Sequence, residues 1–139
     1  ENSRKDQTLN TPAVATLIML ENQVRWLNDN GGLAWASARC ARSASLLYQW
    51  AEKSDYASPF VNDRNARSNA VVTIDLDESI NDGINASQVV AALRENGIVD
   101  TNGYRKLGRN QLRIGVFPSV EPSDVDALTR CIDYVVEHL

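Results

Sequence analysis

The sequence has one histidine, two cysteines and no apolar run near the ~20 residues that cross a bilayer, and each scarcity closes off a class of function. His138 sits beside the C-terminus, at the negative end of an expected helix, and reads as a surface residue rather than an acid–base catalyst. Cys40 and Cys131 fall on the apolar stripes of expected helices, where reduced thiols pack as small hydrophobes. One distant pair forms neither metal-ligand spacing nor a disulfide framework, and unpaired thiols suit a cytosolic compartment. Nucleophile-elbow, Walker-loop and dinucleotide-binding glycine patterns are absent. Glu1 to Asp6 is polar and charged, unlike a signal peptide. Asp75, Asp77 and Glu78, too few for a hard-cation site, read as a solvated turn at a strand end.

What remains is an ordinary globular composition. The 139 residues suffice for one domain that buries roughly two-thirds of its unfolded surface without staples. The net charge of −4 disfavours a general nucleic-acid binder, and no pair of aromatics alternates on a strand to stack bases.

The first ten residues lack periodicity and read as a connection. Thr11-Pro12 has the chemistry of a helix start, Ala13 to Leu27 is strongly apolar, and Asn30-Gly31-Gly32 ends the run. A second helix is expected from about Leu33 to Ala51, with Ala36, Cys40, Ala44, Leu47 and Ala51 on one face; the two helices are expected to form a hairpin. Residues 55–68 read as loop. Ala70, Val72, Ile74 and Leu76 then alternate with Val71, Thr73 and Asp75, the pattern of a strand with one buried face. Asn85 or Ser87 opens a short helix through Leu93 that Asn96-Gly97 stops, followed by a brief strand at Ile98-Val99 and a turn over 100–103. Gln111 to Phe117 alternates again, with Leu112, Ile114 and Val116 inward. A last helix after Glu121-Pro122 carries Val125, Leu128, Ile132, Val135 and Leu139 on its buried stripe. The sum is an α+β fold: a helical hairpin, then a small, mainly antiparallel sheet with helices on one face.

Two places could hold an anion. Arg105, Lys106, Arg109 and Arg113 lie within nine residues, which is either a solvated hairpin or a binding segment. Arg113 lies inside a strand, flanked by inward Leu112 and Ile114, so its guanidinium leaves the other face, where Gly115 and Phe117 provide space and an apolar wall. A planar fork so placed can grip a carboxylate with two parallel hydrogen bonds, and Arg105 can take a second anionic group. At Asn10-Thr11-Pro12, a helix N-terminus with two polar side chains suits phosphate, or is simply a cap.

These segments carry a family resemblance. Gln7-Thr8-Leu9-Asn10-Thr11-Pro12, Gly31-Gly32-Leu33, Gly97-Ile98-Val99-Asp100 and the stretch from Tyr104 to Pro118 resemble the C-terminal small domain of the phosphoserine aminotransferases, over nearly the whole chain. The resemblance implies a fold-type I enzyme that uses pyridoxal 5'-phosphate to exchange an amino group between phosphoserine or 3-phosphohydroxypyruvate and glutamate or 2-oxoglutarate, in serine biosynthesis. It divides the chain into a leading segment, 1–11, and the small domain, 12–139. It implies that Asn10 and Thr11 reach the cofactor phosphate of a neighbouring subunit in a homodimer, that Arg113 binds the substrate α-carboxylate, and that Arg105 helps hold the substrate phosphate. The family commonly has His-Arg where this chain has Tyr104-Arg105, with two fewer residues before the second arginine, so Tyr104, Lys106 and Arg109 are each candidates for the histidine's task. The cofactor-binding lysine is expected in a large domain upstream of Glu1, which would leave this chain inactive alone. The competing reading is a free-standing α+β regulatory module that binds an anionic metabolite through Arg105 and Arg113.

Overall fold

The structure, a computed structural model, describes residues 1–80 and 83–139. Its elements are α1 (Val14–Asp29), α2 (Gly32–Lys53), β1 (Ala57–Pro59), β2 (Val71–Leu76), α3 (Ala86–Glu95), β3 (Gln111–Gly115) and α4 (Pro122–Glu137). Single 3-10 turns cover Asn2–Lys5 and Arg64–Ala66. The residues fall into two compact units, Glu1–Trp35 and Ala36–Leu139.

The first unit holds α1, which starts later than its cap chemistry suggests. Val14 N–H bonds to the Pro12 carbonyl at 2.9 Å, and Ala13, the residue before the helix, has φ −74° and ψ 75°. This is an inverse γ-turn, and it moves the helix start past Thr11, which therefore does not cap it. No residue of α1 is buried. Leu17, Ile18, Met19 and Leu20 are each more than half exposed, on successive sides of the helix. Gly31, at φ 112°, makes the break between the two helices; a β-carbon there would meet Trp35 Cβ at 3.0 Å.

The second unit holds the core. β1, β2 and β3 form an antiparallel sheet in that order. Val72, Ile74 and Leu76 alternate into the core, as their spacing predicts, but Ala70 lies outside the strand and is exposed. β1 lies within the segment expected to be loop; at three residues ending in proline it is too short to alternate visibly. The expected strand at Ile98-Val99 does not form. Instead Thr101 O accepts the Arg113 N–H at 3.1 Å and Asn102 bridges to Leu112, so the edge of β3 is covered three residues later.

Helices α2, α3 and α4 cover one face of the sheet through Ala44, Leu47, Ala51, Val89, Leu93, Val125 and Ile132, all nearly inaccessible. Full burial of a leucine or isoleucine contributes about 1.5–3 kcal/mol each. Asn85 caps α3, its side chain accepting from Ser87 N–H at 2.8 Å, and Gly97 at φ 82° follows its end. The stripe of α4 is rotated from expectation. Val125, Thr129, Ile132 and Val136 are buried, Leu128 and Val135 are half-buried, and Leu139 lies beyond the helix, exposed. Both cysteines are half-buried rather than fully enclosed. His138 is exposed, with its ring stacked on Tyr134 at 4.1 Å between centroids.

Asp133 on α4 accepts from Tyr56 Oη at 2.6 Å and from Trp50 Nε1 at 2.8 Å, joining α4 to α2 and to the entry of β1. Burial, then the hydrogen bond to Asp133, pushes the Tyr56 hydroxyl above its ordinary pKa of 10.0. Asp133→Ala should cost about 1–3 kcal/mol in urea unfolding, because it strands two donors; an unchanged midpoint would exclude this role. The sign for Tyr56 follows from its raised folded-state pKa: its contribution is complete below pH 10 and declines as pH rises above it, where only the unfolded tyrosine ionises freely. Tyr56→Phe should therefore flatten the alkaline loss of stability in a pH series of unfolding curves.

Candidate anion-binding site

The site is built on β3. Buried Leu112 and Ile114 send Arg113 to the opposite, exposed face, opposite Thr73 of β2. Its guanidinium carbon lies 5.7 Å from the centre of the Tyr104 ring, a cation–π contact that holds the charge without neutralising it. Among the described residues no carboxylate pairs with Arg113. The Phe117 ring folds back over Gly115, within 2.8 Å of where a β-carbon would stand. The wall thus fills the position over Gly115, where glycine is needed for the ring to lie, and open space remains beside Arg113. Arg113, Gly115 and Phe117 border an apolar cleft of about 740 Å³ that runs to Leu128 and Cys131 of α4. Thr101 also lines it, and its buried hydroxyl has no hydrogen-bond partner among the described residues.

Tyr104, Arg105, Lys106 and Arg109 belong to a loop whose two ends are fixed. At the first, Gly103 lies so close to β3 that a β-carbon would stand 2.6 Å from the Gln111 carbonyl oxygen. At the second, the Asn110 side-chain oxygen accepts from Ala86 N–H at 2.6 Å, and its amide nitrogen donates to Ile84 O at 2.7 Å and Leu76 O at 3.0 Å. Between them, Leu107 N–H bonds to Tyr104 O at 2.9 Å, and Gly108 takes φ 65°.

The four cations of the segment have separate settings. Arg109 Nη2 and Nε reach the two oxygens of Asp75 at 2.5 and 3.2 Å, and its guanidinium lies 5.0 Å from the Phe60 ring centre. The hydrogen bond to Asp75, then that carboxylate's charge, raises the Arg109 pKa further. Gln111 Nε2 donates to the same carboxylate at 2.8 Å. Asp75 is therefore an engaged strand residue, not part of a solvated turn. Asp77 does form that turn, accepting from Ser79 N–H at 2.8 Å, and its pKa is lowered by the Ser79 hydrogen bonds. Arg105 and Lys106 are exposed and have no hydrogen-bond or ion-pair partner among the described residues. Tyr104 and Arg113 are thus together, Arg109 is held by Asp75, and Arg105 and Lys106 stand open on the loop. The sequence reading missed Asp75, Asn110 and Gln111. The strand register that sets Asp75 opposite Gln111 is the signal that exposes them, and periodicity within either strand does not contain it.

Asn10 and Thr11 lie in the first unit, exposed, ahead of an α1 start that no side chain caps. Among the described residues no cluster of histidine, cysteine, aspartate and glutamate could hold a metal ion, and no helix is long and apolar enough to cross a membrane.

No family model matches the chain. A phosphoserine aminotransferase of Rhodococcus opacus is 60% identical over all 139 residues, and the chain spans 36% of that relative's length. The solved phosphoserine aminotransferase of Bacillus circulans subsp. alkalophilus superposes with a TM-score of 0.83 at 23% identity, over 98% of this chain and 36% of that one. A second solved structure, a phosphoserine aminotransferase with a radiation-damaged Schiff base, gives 0.80 at 25% identity over 99% of this chain and 37% of that one. Nothing in these comparisons favours a free-standing regulatory module. Aligned from end to end with the C-terminal part of such enzymes, the chain belongs to the phosphoserine aminotransferase family.

Proposed function

We propose that residues 12–139 are the small, substrate-holding domain of a pyridoxal 5'-phosphate-dependent enzyme that moves an amino group between phosphoserine or 3-phosphohydroxypyruvate and glutamate or 2-oxoglutarate, in cytoplasmic serine biosynthesis. The observation that carries this reading is the exposed Arg113 guanidinium, held by Tyr104 and free of any described carboxylate, beside a loop that presents Arg105. Every substrate of such a reaction has an α-carboxylate, which suits the fork of Arg113. Only the serine-derived pair has a phosphate, which suits Arg105, with Lys106 as the next cation and the Tyr104 hydroxyl as a neutral donor. Arg109 stands at the same end of the substrate, behind these groups.

The cofactor supplies the electron sink for amino transfer. Lys5, Lys53 and Lys106 are all exposed, unlike the desolvated lysine such chemistry uses, so this chain contributes binding groups rather than the covalent anchor. Asn10 and Thr11 offer exposed amide and hydroxyl donors next to an uncapped helix start, a set that fits a phosphate ester. We assign them to the cofactor phosphate of the partner subunit in a homodimer. The exposed apolar sides of α1 support this assembly. The first half of α1, from Val14 to Leu20, exposes apolar residues on every side, and such a surface belongs inside a larger body, here a large domain and a second subunit.

In the intact enzyme, Arg113→Ala should lower kcat/KM by roughly 10- to 100-fold with phosphoserine and with glutamate alike, since each charge-assisted hydrogen bond is worth about 1.5–3 kcal/mol. Normal kinetics with glutamate would refute the carboxylate assignment. Arg105→Ala should raise KM for phosphoserine selectively, as read by separate half-reactions with the two amino donors.

A further inference from the structure

Arg109 belongs to the cationic segment and is its one member paired with a carboxylate among the described residues. Both ends of the Asp75 carboxylate are used, one oxygen by Arg109 Nη2 and the other by Arg109 Nε and Gln111 Nε2. The guanidinium is also bracketed by the Phe60 ring, so its plane is fixed in two ways. The next residue, Asn110, is pinned by three side-chain hydrogen bonds to Leu76, Ile84 and Ala86. Asp75 itself is a strand residue whose side chain is 20% exposed, and its position is set by the β2–β3 register. Arg109 is thus tied to the sheet, while Tyr104, Arg105 and Lys106, three to five residues earlier, reach solvent from the same loop.

We infer that Asp75 and Arg109 are a positioning pair for the substrate-phosphate end of the site: their fork holds the loop at one orientation, so that Arg105 and Lys106 stand ready for the phosphate without first being ordered. The inference rests on the reading of Arg105 as a phosphate-binding residue. A rigid loop spares the entropy of ordering side chains on binding, and the saving applies to substrates that use the loop. Glutamate, which has no phosphate, gains little from it. Arg109 acts through Arg105 and touches no substrate.

The test is a double-mutant cycle in the holoenzyme, with half-reactions measured separately for phosphoserine and glutamate. Asp75→Ala, Arg109→Ala and the double variant should each raise KM for phosphoserine by a similar factor, roughly 5- to 20-fold, because each breaks the same contact. Their kcat and their KM for glutamate should stay within about twofold, which also reports an intact fold. Arg109→Lys, which restores the charge but not the fork, should recover part of the loss. A phosphate ligand would behave in the opposite way: Asp75→Ala would release Arg109 and lower KM for phosphoserine, and that result overturns the proposal. Equal losses with both amino donors, or additive losses in the double variant, overturn it as well. Arg105→Ala separates the two readings. If it leaves KM for phosphoserine unchanged, the phosphate assignment itself fails; if it raises KM while the Asp75 and Arg109 variants do not, only the positioning role fails.

Discussion

The antiparallel register of β2 on β3 is the constraint on which the rest depends. It sets Thr73 opposite Arg113 and Asp75 opposite Gln111, and the same pairing turns Val72, Ile74, Leu112 and Ile114 into the core. A slip of one residue would exchange the two faces, burying the Arg113 guanidinium and exposing the aliphatic side chains. The register is therefore held by the burial of the hydrophobic face, and the polar face is arranged as its consequence. The site on that face needs no separate organising principle beyond two anchors: Gly103 against the Gln111 carbonyl, and Asn110 between β2 and α3.

The charges on that face are sorted by where the loop meets the sheet. Arg109, next to the anchored Asn110, is within reach of Asp75 and is neutralised by it. Arg113 is met by an aromatic ring, which orients a cation without taking up its hydrogen-bond donors. Arg105 and Lys106, at the loop's outer turn, meet neither among the described residues. Four basic residues that look equivalent in composition thereby become one internal tie and three available cations. Local basic character in an acidic chain is then no contradiction: the net charge of −4 describes the molecule, and the charge of any one face depends on which carboxylates lie within reach of its cations.

The two units differ in how well their hydrophobic residues are covered. In the second, α2 buries Leu47 and Ala51, and α4 buries Val125 and Ile132, with Asp133 pairing Trp50 and Tyr56 at the seam. In the first, α1 has apolar residues on all sides and none buried. Since association of apolar surface is the main favourable term in folding and assembly, α1 is the part of the chain whose stability rests most on what else it meets.

Much of this was legible in the residues. Alternation marks β2 and β3, the Asn85 or Ser87 and Asn96-Gly97 signals bound α3, and the position of Arg113 between Leu112 and Ile114 puts it on the outer face. Those readings succeeded because periodicity and capping are local, governed by neighbours within a few positions. The failures were non-local. β1 and the bridge at Asn102 exist only because another strand offers them hydrogen bonds, and the stripe of α4 is rotated toward Thr129 and Val136 by the helices it meets. The exception is the start of α1, where a local γ-turn at Ala13 displaced Thr11 from the cap. By itself the sequence determined the element types, the buried face of the sheet and the family likeness. Only the tertiary structure decided that Asp75, thirty-four residues from Arg109, takes that arginine and leaves the others open. The physical reason is that a charge is defined by its nearest partner in space, and that partner is chosen by strand pairing.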